Sequence, residues 1–334
     1  MPANLTPDYK KAEAAYMQAR DPQERLELLE LMHRTIPKHK GTEHLRAEIK
    51  TKIKDLKAEL TGPSKGGVRT GPATFIHPEG AAQVAILGPP NTGKSALHAA
   101  LTGSHTDVAP YPFTTQYPEP GMLSVDDASI QLVDLPPISS QHPIPWIGNT
   151  LQSADGALFV VDLGRPGCVE AITSVREILE ERHVTLVGAW DLAHSPDDDP
   201  FAIRLPTLLI ANKADVIPDI EGDLAVCREL GDLHFPTVAV SATTGAGLDE
   251  IGPWLFRNLN IVRVYTKVPG KDADKDRPYT VRHGATVADV ARLVHRDLAA
   301  SFRHARVWGH GSYDGQQVGK DHVVEDGDIL EIHA

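Results

Sequence analysis

Largely apolar runs recur through the middle of the chain at Val84–Leu87, Ile130–Val133, Ala157–Val161, Thr207–Ile210 and Thr237–Val240. Unbroken runs without polar alternation suit strands buried on both faces, and helical stretches lie between them. From Gln83 to about Leu259 this alternation predicts a doubly wound, mostly parallel α/β sheet. The expected boundaries of that domain are residues 70–260. Ahead of it the period changes to that of helices. Asp21 can cap a helix running to Ile36, with Pro22 at its first position and Glu24 completing a capping box. Pro37 to Gly41 should break it. A second helix, from about Thr42 to Leu60, carries Leu45, Ile49, Ile53, Leu56 and Leu60 along one stripe. The two are expected to form a helical hairpin, and with the linker Thr61 to Gly67 they fill residues 1–69. After Asn260, short strands are expected at Val262–Thr266, Tyr279–Val281, Ala305–Trp308 and Ile329–Ile332 around one helix from Val287 to about Phe302. That is a small α+β module over residues 261–334.

Composition narrows the class. The 334 residues carry a formal net charge of -12, which argues against a wholly basic nucleic-acid coat. The balance is uneven, however. Between Arg34 and Arg69 ten basic residues face four acidic ones, which reads either as a contact for a polyanion or as a solvated helix face. No stretch is long and apolar enough to span a bilayer, and Met1 to Lys10 lack the apolar core of a signal peptide. Two cysteines, Cys168 and Cys227, build no disulfide framework and lack zinc-site spacing. A cytoplasmic protein with no membrane partner is expected. The histidines form no His-Glu-x-x-His pair, and Asp197, Asp198 and Asp199 are expected in an exposed loop.

The chemistry begins at Gly88-Pro89-Pro90-Asn91-Thr92-Gly93-Lys94-Ser95, between the run ending at Leu87 and a helical Ala96 to Leu101. A strand, a glycine-punctuated loop and a helix in this order make a phosphate cradle. Backbone N–H groups line the loop, and the helix N-terminus adds positive potential. Lys94 should neutralise phosphate charge, and Ser95 should ligate Mg²⁺. Asn212-Lys213-Ala214-Asp215 and Ser241-Ala242 each follow a strand. Guanine offers an N1–H and a 2-amino group that one carboxylate accepts together, and Asp215 supplies that carboxylate. Asn212 should brace the loops, Lys213 should lie over the base, and the Ala242 N–H should reach the guanine oxygen. Between these segments, Asp134 at a strand end should hold Mg²⁺ through water. One of Thr114 and Thr115, with Thr115 the better placed, should ligate Mg²⁺ when the γ-phosphate is present.

These motifs, in this order, with Tyr111-Pro112-Phe113-Thr114-Thr115 among them, resemble the translation-factor-type GTPases of the Obg and DRG (developmentally regulated GTP-binding) group. The tail from about Ile261 resembles the TGS module, a β-grasp domain, and His39 to Leu60 resembles the DRG-type N-terminal region. The resemblance implies GTP and GDP as ligands, Mg²⁺ as cofactor, GTP hydrolysis, and association with the ribosome or its RNA. It leaves room for an accessory regulatory protein. Relatives with asparagine at the position of Asn91 can bind K⁺ beside the phosphates; the alternative role for Asn91 is to cap the loop. Two departures stand out. The switch motif normally ends in glycine, whose N–H bonds the γ-phosphate, whereas Pro137 has no N–H and a fixed φ. The segment Val184 to Arg204 is also too short for the inserted domain of DRG-like proteins. Ile138 stands where Ras-like enzymes place a water-positioning glutamine. Slow hydrolysis assisted by Lys94, Thr115 and Asn91 is the leading expectation, with a non-hydrolysing nucleotide sensor or scaffold as the alternative.

Overall fold

The computed structural model describes residues 5–19, 21–61, 75–104, 117–190, 201–309 and 314–334. Those up to His77, together with Phe201 and Ala202, form one compact unit; the rest form a second.

The first unit has three helices where the periodicity predicts two: α1 (Pro7–Gln18), α2 (Pro22–Thr35) and α3 (Glu43–Thr61). Helix α1 starts where the Thr6 hydroxyl accepts the Tyr9 N–H at 3.2 Å, with Pro7 next in line. Its inward residues are Tyr9, Ala12 and Tyr16, and one alanine between two hydroxylated rings makes a weak stripe in sequence. At α2 the Asp21 carboxylate accepts from the N–H groups of both Gln23 and Glu24, at 2.9 and 3.0 Å. The expected capping box is thereby replaced by a one-sided cap, to which Glu24 contributes its backbone. Tyr9, Leu29, Met32, Ile49 and Phe201 fill the core, and Arg25 donates to the Tyr16 hydroxyl at 2.6 Å.

In the second unit a sheet runs in the order β2-β3-β1-β4-β6-β5, with β7 also paired to β6. Its strands are β1 (Ala82–Leu87), β2 (Glu119–Val125), β3 (Ala128–Asp134), β4 (Gly156–Val161), β5 (Val184–Val187), β6 (Ile203–Ala211) and β7 (Thr237–Ala239). All pairings are parallel except that of β2 with β3. Helices α4 (Lys94–Thr102), α5 (Ile147–Gln152), α6 (Cys168–Glu180), α7 (Ile220–Gly231) and α8 (Ile251–Asn258) accompany it. Strand β1 lies between β3 and β4, so the strand order reverses beside it, where α/β folds bind ligands. Every residue of β1 is buried. Strand β2, unforeseen in sequence, holds Pro120 and Gly121; proline is tolerated there because β2 is an edge strand.

The C-terminal part has a mixed sheet, in the order β11-β10-β12-β8-β9, built from β8 (Ile261–Thr266), β9 (Asp274–Arg282), β10 (His304–Trp308), β11 (Gln316–Val318) and β12 (Asp328–His333). Helix α9 (Val287–Val294) packs Val287 and Val290 against Val264, Val307 and Leu330. The single helix expected to reach Phe302 is broken. His295 adopts extended dihedrals (φ -165°, ψ 138°), and its Nδ1 accepts the Asp297 N–H at 3.2 Å to start α10 (Arg296–Ala300).

This module is fastened to the turn between β2 and β3. Arg263 donates to Asp127 at 3.0 Å and to Asp326 at 2.7 Å, and the Tyr265 hydroxyl donates to Asp127. Burial alone would raise the Asp127 carboxyl. The hydrogen bonds from Tyr265 and Arg263 outweigh it and hold the group below the usual aspartate range. A second tie joins Arg282 to Asp155 at 2.8 Å. Arg263→Ala should cost about 2 kcal/mol, because it removes the charge-assisted bonds that two carboxylates accept from the guanidinium. Hydrogen exchange should speed up at both the β2–β3 turn and β8. Because the Asp127 and Asp326 pKa values are lowered, this contribution is present above the ordinary aspartate pKa and lost as pH falls through the lowered values. Equal acid sensitivity in wild type and variant would refute this account. Among the described residues no helix is long and apolar enough to cross a membrane.

Candidate functional site

The loop after β1 is shaped by residues with positive φ. Gly88 sits at φ +149°, and a Cβ there would lie 2.3 Å from the Val160 carbonyl oxygen. Gly93 sits at φ +85°, where a Cβ would meet Asn212 Nδ2 at 2.4 Å. Only glycine fits either place. Asn91 is left-handed too, at φ +64°; its side chain is exposed and makes no hydrogen bond among the described residues. Thr92 and Lys94 both turn back on the loop, donating to the Pro89 carbonyl at 3.2 and 2.8 Å. Pro90 offers its carbonyl outward, to Arg165. Lys94 opens α4, and its ammonium is pulled down to about pKa 8 by burial, with Asp134 acting in the opposite sense.

Asp134 ends β3 next to this loop, and the Ser95 hydroxyl donates to its carboxylate at 2.6 Å. A hydroxyl and a carboxylate facing each other at the loop are hard oxygen donors, a set that fits Mg²⁺. Beyond Asp134 the chain continues along β1. The Leu135 N–H donates to the Ile86 carbonyl and the Ile138 N–H to the Gly88 carbonyl, both at 3.1 Å. Pro137 is buried between them, and Ile138 is buried in an apolar position with no group to hold a water.

The strands β6 and β7 deliver the other half. Asn212 donates through Nδ2 to the Thr92 carbonyl at 2.9 Å, and its Oδ1 accepts the Ala242 N–H at 3.2 Å. One amide thus ties the phosphate loop to the loop after β7. The Ala242 N–H, expected to face a guanine oxygen, is directed at Asn212 in this structure. Lys213, at φ +64°, donates to the Asn91 carbonyl at 2.9 Å and to Asp162 at 2.7 Å. Asp215 lies exposed on a short turn, held where the Ala214 N–H meets the Val240 carbonyl at 2.9 Å. The Ser241 hydroxyl accepts the Thr244 N–H at 3.1 Å and so shapes its own loop.

Gly88 to Ser95, Asp134, Asn212, Lys213, Ser241 and Ala242 are thereby gathered at the carboxyl ends of β1, β3, β6 and β7, with Asp215 at the rim. Thr114 and Thr115, with the rest of Tyr111 to Thr115, lie outside the described residues, as do Asp197 to Asp199. Sequence reasoning missed Asp162 and Arg165. Asp162 positions the Lys213 ammonium, and Arg165 donates to the Pro90 carbonyl at 2.6 Å. Asp162 directly follows the apolar run of β4, the same strand-end signal that marks Asp134.

A buried parallel strand running into a glycine-shaped loop and a lysine-started helix, with a second loop pair braced by Asn212, defines a P-loop GTP-binding domain. Comparison with known proteins agrees. Residues 83–189 match the family described as 50S ribosome-binding GTPase, and residues 262–334 match the TGS domain. An uncharacterized GTP-binding protein of Halobacterium salinarum is 29% identical, over 93% of this chain and 99% of its own. One from Methanocaldococcus jannaschii is 28% identical, over 89% and 88%. The developmentally-regulated GTP-binding protein 1 homolog of Dictyostelium discoideum is 28% identical, over 88% and 94%. The chain thus carries a GTPase domain followed by a C-terminal TGS domain, and the relatives it resembles over most of its length include proteins named developmentally regulated GTP-binding proteins.

Proposed function

We propose that this protein binds GTP with Mg²⁺ and hydrolyses it slowly, acting in the cytoplasm with the ribosome or its RNA. The observation that supports the nucleotide assignment is the Asn212 brace, which joins the phosphate loop to the loop after β7 at the start of the segment that carries Lys213 and Asp215. Ser95 and Asp134 would hold Mg²⁺, which supplies charge neutralisation between the phosphates. Lys94 binds phosphate oxygens. Thr115 is proposed as the further metal ligand, and the exposed Asn91 as the K⁺ ligand.

Slow turnover follows from what the segment after Asp134 lacks. Pro137 has no N–H, and the Ile138 N–H is committed to Gly88. The same facts favour the second reading, a nucleotide sensor or scaffold that does not hydrolyse. Single-turnover hydrolysis in K⁺ and in Na⁺ separates the two. Stimulation by K⁺ that Asn91→Ala abolishes supports the cation role; tight GTP binding with hydrolysis equal to buffer in both salts supports the sensor.

A polyanion contact is proposed on the first unit. Lys38, Lys50 and Lys54 are exposed, and after burial, Lys50, Arg46 and Lys38 lower the pKa of His33 between them. Part of the basic excess is spent within the unit: Lys57 pairs with Glu30 at 2.6 Å, and Lys52 sits over the Phe201 ring. Lys38→Glu with Lys50→Glu should weaken co-sedimentation with ribosomal particles and flatten its salt dependence, by about 0.7–0.9 of a log unit per lost phosphate contact. Unchanged binding would move the contact elsewhere. An accessory regulatory protein remains part of this proposal, as the factor that would set the rate.

A further inference from the structure

The chain's two cysteines, 59 positions apart, meet in the fold with their sulfurs separated by 3.7 Å. Cys168 opens α6 directly after Gly167, whose left-handed backbone starts the helix. It is partly exposed and lines a pocket with Pro89, Thr92, Asp162 and Arg165. Cys227 lies buried on α7, and burial, followed by the neighbouring Cys168, pushes its thiol up to about 12. An accessible sulfur at a helix N-terminus is the one that reacts first, and a buried sulfur within reach is placed to resolve the product.

The pair is also wired to the nucleotide loop. The segment between β4 and α6 carries Asp162, which holds the Lys213 ammonium at 2.7 Å, and Arg165, which holds the Pro90 carbonyl at 2.6 Å. A disulfide needs its sulfurs about 2.05 Å apart, so closure must bring them roughly 1.6 Å nearer, by turning the two side chains and drawing the start of α6 toward α7. That movement pulls on both anchors.

We propose that Cys168 and Cys227 form a redox-sensitive dithiol whose oxidation to a disulfide loosens the hold of the adjacent loop on its nucleotide. With hydrogen peroxide as oxidant, the Cys168 thiolate attacks one peroxide oxygen, the O–O bond breaks, and hydroxide departs, leaving a sulfenic acid. The Cys227 sulfur then attacks the Cys168 sulfur, giving up its proton. The S–S bond forms as the S–O bond breaks, and the departing oxygen leaves as water. Two thiols and one peroxide thus become one disulfide and two waters, and a dithiol reductant reverses the change.

The loosening rests on the proposed nucleotide site; the disulfide does not. The test uses the full chain loaded with a fluorescent GDP analogue, treated with hydrogen peroxide, then alkylated and weighed. Both thiols should disappear together with the loss of two hydrogens, reversibly with dithiothreitol, and nucleotide release should accelerate about fivefold or more. Cys227→Ser should stop at a Cys168 sulfenic acid trapped by dimedone, with release unchanged. Cys168 oxidised while Cys227 still alkylates, or disulfides between chains, would overturn the dithiol. A clean internal disulfide with unaltered release would overturn the coupling. Failure to bind the analogue before any oxidant is added would instead tell against the nucleotide site, and the mass result would still judge the dithiol.

Discussion

Asp215→Asn should lower GTP affinity about 10²- to 10⁴-fold while leaving the fold intact. One carboxylate accepting two donors from guanine makes two charge-assisted hydrogen bonds of about 1.5–3 kcal/mol each, and every 1.4 kcal/mol is a factor of ten. An asparagine amide can accept only through its oxygen, and its NH₂ meets the guanine donors head on. Xanthine carries a carbonyl in place of the 2-amino group, so the variant should prefer xanthosine triphosphate. Stability should change little, because Asp215 is exposed and its turn is held by the Ala214 backbone rather than by its own side chain. Equilibrium binding of both triphosphates, with a melting curve as control, decides the matter. Equal GTP affinity in wild type and variant would remove Asp215 from the base-binding role.

Lys94→Met should abolish tight nucleotide binding yet flatten the response of the empty protein to alkali. Lys94 is almost wholly buried, and its pKa of about 8 lies well below the ordinary lysine value of 10.5. Its charged form is therefore disfavoured in the folded state. The resulting penalty is fully present below pH 8 and is relieved as pH rises from there toward 10.5, because the unfolded chain then binds the extra proton. The gap corresponds to about 3 kcal/mol at most. Wild type should gain stability relative to Lys94→Met between pH 8 and 9.5, as read from denaturant midpoints at matched pH. Bound phosphate reverses the logic, since it stabilises the ammonium. Nucleotide affinity of the wild type should therefore decline above pH 8, with proton uptake on binding. A parallel pH course for wild type and variant would show that Lys94 is not the titrating group.

Much of the fold and of the candidate site is legible in the sequence, for a reason tied to burial. Strands covered on both faces are largely apolar, so β1, β3, β4 and β6 announce themselves, and the short, partly buried β7 still reads through Val238 and, just past its end, Val240; polar residues at their ends mark the site. What was illegible depends on the partner rather than the residue. Strand β2 breaks the pattern with Pro120 and Gly121 because it has only β3 to satisfy. Helix α1 is carried by Tyr9 and Tyr16, which read as surface residues until α2 supplies Arg25 as a partner for the Tyr16 hydroxyl. The break at His295 needs a side chain to cap its own successor. Arg165 has no motif around it, and only the fold brings it to Pro90, 75 positions away. Likewise, Pro137 reads in sequence as a lost donor, whereas the structure shows the next residue lending its N–H to Gly88.

The seven residues of β3 have their two ends pinned by different parts of the molecule. At the carboxyl end Asp134 meets Ser95; just before the other end, Asp127 is gripped by Arg263 and Tyr265 of the C-terminal module. A strand of that length spans roughly 23 Å and is stiff along its axis. The C-terminal module and the phosphate loop are therefore both built onto one continuous strand, each holding it by a carboxylate at the end it touches.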